Sequence, residues 1–165
     1  DIDAAVKICR ETQNAAACYH LARHLEADGM VKEAIQYFQK AGRLSHALRL
    51  AQENNFDGDL MSLALASDPV NMAQAAKYYE QRGHPSKAVQ LYQKAGHQKR
   101  ALELCFSAKL FDALRKIAGE LSADSDPEVL ARCAEFFMEH SQHDKAVHLL
   151  SMSHQFQRAI DLCTE

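Results

Sequence analysis

The chain has 165 residues, of which 47% are hydrophobic and 25% charged, and a formal net charge of −3. That balance excludes a disordered tail and gives no basic field to concentrate nucleic acid or an anionic membrane. No apolar run nears the ~20 residues of a membrane span, DIDAAVKICRE lacks the basic region and apolar core of a signal peptide, and Pro, Gly and β-branched residues are few. The expectation is a soluble, all-α chain without direct membrane insertion.

The first predicted helix, IDAAVKICRE (Ile2 to Glu11), shares Asp, Ala, Lys, Ile and Glu with FDALRKIAGE (Phe111 to Glu120), so the chain is expected to open on the last helix of a repeated unit. The next pair spans Ala16 to Gly42. Ala22 and Leu25 share one face of its first helix, Gly29 makes the turn, and Ala34 and Phe38 share a face of its second. The joint YFQKAGRLSHALRL (Tyr37 to Leu50) then opens a further pair carrying Ala47 and Leu50, followed by Leu60 and Leu63.

Asp68-Pro69 predicts a capped start for the second unit, with Asp as the cap and Pro at the first helical position. Asn71 to Gly96 repeats the pattern with Ala76 and Tyr79, a turn at Gly83, then Ala88 and Tyr92 after His84-Pro85. The joint returns as LYQKAGHQKRALEL (Leu91 to Leu104), half of its fourteen positions identical, with Ala101 and Leu104 and then Ala113 and Ile117. SADS before Asp126 is loop-like but too short for a domain linker. The third unit repeats with Ala134 and Phe137, a turn at Ser141, Ala146 and Leu150, and a degraded joint (Ser153-His154 for Ala-Gly) before Ala159 and Leu162.

Small-x-x-large, turn, small-x-x-x-large is the spacing of the tetratricopeptide (TPR) helix–turn–helix repeat, although the consensus Trp and terminal Pro are missing. The sequence thus predicts one domain over residues 1–165. Its fold is a right-handed superhelical α-solenoid of about eleven antiparallel helices cut from a longer array, with units near 1–13, 14–67, 68–122 and 123–165.

Residues capable of chemistry point elsewhere. His20 and His24 stand four apart, a spacing that two metal ligands can use. The equivalent positions hold Gln74 and Tyr78, then Arg132 and Phe136, so packing accounts for His24 and no metal site is expected. His140 and His143 flank a turn and are expected in solvent. The five cysteines are expected as reduced thiols, because Cys105 and Cys163 share a column with Ala51, and Cys133 shares one with Ala75. No nucleophile elbow, P-loop, dinucleotide fingerprint or HExxH occurs, so no catalytic residue, cofactor or small-molecule substrate is expected. Tyr78-Tyr79 and Phe136-Phe137 are expected in the core, since no basic groove accompanies them. The column Arg23, Lys77, Glu135 changes sign and does not suit a clamp for a terminal carboxylate.

DLMSLAL (Asp59 to Leu65), AAKYYEQRG (Ala75 to Gly83) and LARCAEFFMEHSQ (Leu130 to Gln142) are more distinctive than generic repeat columns. Together with the joints, they make the chain resemble the C-terminal helical-repeat region of the intraflagellar transport protein 140 family, large subunits of intraflagellar transport complex A. The resemblance implies N-terminal WD-repeat propellers in such proteins and no catalytic residues. It implies a scaffold for retrograde ciliary transport and ciliary entry of membrane cargo, in the cytoplasm, at the ciliary base and along the axoneme. The implied partners are other complex A subunits and cargo adaptors, with the partner-binding residues unknown. A propeller-solenoid vesicle-coat subunit of coatomer type is the competing scaffold, and a metal or thiol enzyme the competing class.

Overall fold

A computed structural model describes residues 2–12 and 14–164, apart from the side chains of residues 2, 3, 10 and 162–164. Twelve α-helices, and no strand, lie among the described residues. That is one more than the approximate sequence count, and the predicted frame of one closing helix, two units of four and a final three already contains it.

The chain gathers into two compact bodies, residues 1–98 and 99–165. The first holds α1 (Ile2–Thr12), α2 (Ala15–Ala27), α3 (Val31–Lys40), α4 (Leu44–Glu53), α5 (Asp57–Leu65), α6 (Pro69–Gln81) and α7 (Pro85–Lys94). Each of these packs on its neighbour in the chain, and α4 also meets α6 and α5 meets α7. The second holds α9 (Phe111–Glu120), α10 (Pro127–Glu139), α11 (His143–Met152), α12 (Phe156–Thr164) and all but the first residue of α8 (Gln98–Ser107). There α10 packs on α11 and α11 on α12. Contacts between near neighbours in sequence are what stacked repeats produce.

Helix α3 shows why these segments are helical. Ala34, Ile35, Tyr37 and Phe38 are buried on one face, while Lys32, Glu33, Gln36, Gln39 and Lys40 are exposed on the other. Phe38 then joins three helices: the Tyr19 ring of α2 meets it edge-on at 5.8 Å between centroids, and His46 of α4 stacks on it at 5.1 Å.

Two kinds of punctuation delimit the helices. The long first helix of each unit has an Asn or Asp cap: Asn14 Oδ1 accepts from Ala16 N–H at 2.9 Å, Asp68 Oδ1 from Asn71 N–H at 2.8 Å, and Asp126 Oδ1 from Glu128 N–H at 3.0 Å. Pro69 and Pro127 follow at the first helical position, where a missing N–H does no harm. Most helix ends instead carry a left-handed residue four positions beyond a buried one, at Gly29, Gly42, Asn55, Gly83, Gly96, Lys109, Ser141 and His154. The next N–H closes back on the buried residue's carbonyl, as in Met30 to Leu25 at 2.8 Å and Gln155 to Leu150 at 3.0 Å.

These turns correct one register. Ala113 is only half-buried, and Leu114 is the fully buried partner of Leu60. Both leucines lie five residues past their left-handed residue, Lys109 and Asn55, so the turn sets the count.

A left-handed backbone strains any side chain with a Cβ. Gly42, with φ 70°, has nothing within 4 Å of an added Cβ, so only the backbone conformation opposes a substitution there. Lys109 carries the same strain at φ 52°. We expect Gly42→Ala to lower stability by about 1 kcal/mol and Lys109→Gly to raise it by a similar amount. Urea midpoints at unchanged m-value would show this, and shifts in the same direction would contradict it.

Candidate interaction surface

The packing columns lie in the interior. Ala22, Leu25, Ala34, Phe38, Ala47, Leu50, Ala76, Tyr79 and Ala88 are all buried, as are Tyr92, Ala101, Leu104, Ala134, Phe137, Ala146, Leu150 and Ala159. The side chain of Leu162 falls outside the described residues. Tyr79 resolves the polar end of its buried ring by donating its hydroxyl to the Asp57 carbonyl at 2.5 Å. Burial, and then the Asp57 charge, push its pKa up to about 12.

Four cysteines, Cys9, Cys18, Cys105 and Cys133, are free and buried; Cys163 has no described side chain. Burial raises the Cys105 thiol to about 11 and, as the largest cause, the Cys133 thiol to about 12. Both therefore stay protonated at neutral pH and are poor nucleophiles.

Packing does not account for His24, which is exposed beside an exposed His20. In the equivalent column, Phe136 is covered by Phe106 and Phe111 at 5.3 and 5.4 Å, and the Tyr78 hydroxyl reaches the α4–α5 turn at Asn55 and Asp57. No three His, Cys, Asp or Glu side chains converge on a metal-sized site among the described residues. His140 is half-buried rather than solvated: its Nδ1–H donates to the Phe136 carbonyl at 2.7 Å, and its ring lies 4.3 Å from Phe136.

The exposed side of the first body carries a chain of ion pairs. Glu26 of α2 accepts from Arg49 of α4 at 2.6 Å and from Arg23 at 3.2 Å, and Arg49 also binds Glu53 at 2.9 Å. The Arg49 hydrogen bond holds the Glu26 carboxyl below its ordinary range, against the opposing effect of burial. In the second body, Arg158 of α12 reaches Glu135 of α10 at 3.1 Å, and Lys99 of α8 reaches Asp126 at 2.7 Å. Arg23, Lys77 and Glu135 are all exposed.

The sequence left the binding surface open, and the second body supplies two clefts. Between α8 and α10, Phe106, Lys109, Arg132, Glu135, Phe136, Glu139 and His140 line an open groove of about 280 Å³, with the Arg132 guanidinium 5.4 Å over the Phe106 ring. On α9, α10 and α11, Arg115, Lys145 and His148 surround an apolar floor of Ala118, Phe137 and Leu149 in a cleft of about 260 Å³. The available signal was Phe106, an aromatic residue just beyond the last packing position of α8.

Short helical hairpins with small residues at the close approaches, and left-handed turns between them, define a TPR-type repeat protein. The TPR domain family of intraflagellar transport proteins 140 and 172 matches residues 1–165, and the chain belongs to that family. TPR-type domains are a non-catalytic protein-interaction fold. Among solved structures, the chain is similar to the crystal structure of YrrB, a TPR protein with an unusual peptide-binding site, at 14% identity over 98% of this chain and 96% of that one, with a TM-score of 0.38. No helix among the described residues is long and apolar enough to cross a membrane.

Because the folded Glu26 carboxyl has the lower pKa, its bridge contributes fully above the ordinary carboxylate range and is lost as pH falls through the folded value. Arg49 is 42% exposed, so solvent screens the pair. Glu26→Gln should lower stability by no more than about 1 kcal/mol at neutral pH, and the difference from wild type should disappear at an acid pH below the folded value. A difference unchanged across urea titrations at the two pH values would contradict the assignment.

Proposed function

We propose that the chain acts as a docking segment of intraflagellar transport complex A. In this role it supports retrograde ciliary transport and the entry of membrane cargo, by binding other complex A subunits and cargo adaptors at the ciliary base and along the axoneme. The observation that carries this reading is the family match over the whole chain. DLMSLAL, AAKYYEQRG and LARCAEFFMEHSQ favour the intraflagellar transport protein 140 branch of that family. In this reading the eighteen packing positions, from Ala22 to Leu162, set the helix spacing along one continuous array, and the exposed positions between them bind partners.

The groove between α8 and α10 suits a protein partner. Phe106 provides an aromatic face beside the buried Phe136, and Arg132, Lys109, Glu135 and Glu139 surround it with both signs of charge. Aromatic and Arg side chains are the residue types that most often dominate protein–protein affinity.

The test mixes the purified chain with purified complex A subunits and follows co-sedimentation. We expect at least one subunit to co-sediment, and the double variant Phe106→Asp, Arg132→Glu, if folded by circular dichroism, to weaken that binding tenfold or more. Failure to co-sediment with any complex A subunit would contradict the complex A assignment. Binding that the double variant leaves unchanged would contradict the groove.

A further inference from the structure

Helix α9 carries a glycine where the matching helix of the first body carries a leucine. Leu60 and Leu114 occupy the same buried position of α5 and α9, so Met61 falls with Arg115 and Leu65 with Gly119. Glycine disfavours a helix, and a Cβ added to Gly119 would meet nothing within 4 Å, so close packing does not demand it. Gly119 instead lines the cleft of about 260 Å³ along α9, α10 and α11, and its missing side chain keeps that cleft open. All the lining residues belong to the second body.

The cleft reaches down to the core and is ringed by cations. Phe137 and Leu149, each 2% exposed, form its floor together with Ala118. At the rim Arg115 stands where α5 has Met61, and the Lys145 ammonium lies 5.6 Å from the centre of the Phe137 ring. His148, one turn beyond Lys145 on α11, adds a ring N–H, and all three side chains are exposed. Asp144 is the one carboxylate among the lining residues. The volume falls below the roughly 300 Å³ at which small-molecule pockets begin, which suits one inserted side chain. A phosphate backbone would leave the apolar floor unused, and a wholly apolar segment would gain nothing from the rim.

We propose that this cleft docks a short acidic segment of a protein partner. One leucine-sized side chain of that segment sits on Ala118, Phe137 and Leu149, and the carboxylates flanking it pair with Arg115 and Lys145. The charges at the rim select the segment and the floor holds it. This surface is separate from the α8–α10 groove and goes beyond the complex A reading, since it specifies the chemistry of a partner.

Fluorescence anisotropy of a labelled peptide, Glu-Glu-Leu-Glu-Glu, tests this on the purified chain. No complex A subunit is present, so the outcome is independent of the co-sedimentation. We expect saturable binding below about 1 mM that weakens as salt rises. Alanine in place of the peptide's leucine should weaken binding about tenfold, and Lys-Lys-Leu-Lys-Lys should not bind. Gly119→Leu should fill the cleft and weaken binding about tenfold with its urea midpoint no lower than that of wild type. Lys145→Glu, at an exposed position, should weaken binding as well and carries the comparison if leucine at position 119 disturbs α9 by circular dichroism. No binding up to about 1 mM, equal binding of the alanine or lysine peptide, or folded variants that bind like wild type would each overturn the proposal. So would binding of phosphatidylserine vesicles that Gly119→Leu abolishes while the peptide stays unbound, because the cleft would then serve a membrane.

Discussion

Two helices can approach closely only where one of them withdraws its side chain, and the rest of this structure follows from that constraint. Ala22, Ala34, Ala47, Ala76, Ala88, Ala101, Ala134 and Ala146 are completely buried. Large residues a turn away, such as Phe38, Tyr79 and Phe137, fill the remaining space. A side chain enlarged at one of the alanines would force the helices apart or off their rotamers. Polar atoms drawn inward must also find partners, which the Tyr79 hydroxyl does at the Asp57 carbonyl.

Packing on this pattern is periodic, and that made much of the fold legible in sequence. Alanine columns every few residues identify the helix pairs, and Asp-Pro before α6 and α10 identifies their starts. Information that depends on backbone conformation was harder to read. Glycine advertises the left-handed turn at Gly42, but Lys109 and His154 adopt the same conformation without an equivalent signal. In α9 the small residue Ala113 resembles a packing position, but the repeat spacing places Leu114 there, as it places Leu60 in α5. His24 escaped for another reason: it shares the helical register of Tyr78 and Phe136 yet is exposed, and register alone does not report burial.

The surface follows different rules. Arg23, Lys77 and Glu135 occupy one exposed column with opposite charges, so helix spacing places no demand on their chemistry. The α8–α10 groove depends on Phe106, Arg132 and His140 converging from two helices, which no single-helix pattern reveals. The Cys105 and Cys133 thiols are deeply buried and serve the packing rather than the surface. A scaffold of this kind can alter its partners by changing exposed columns while the buried ones stay small.

The most direct measurement of that division is a saturation scan of folding stability across the buried alanine columns and the exposed column Arg23, Lys77, Glu135. The account predicts that residues larger than serine at the alanines lower stability by about 1–3 kcal/mol, while most replacements at the exposed column stay within about 0.5 kcal/mol of wild type. Tolerance of leucine or phenylalanine at Ala22, Ala76 and Ala134 would contradict it.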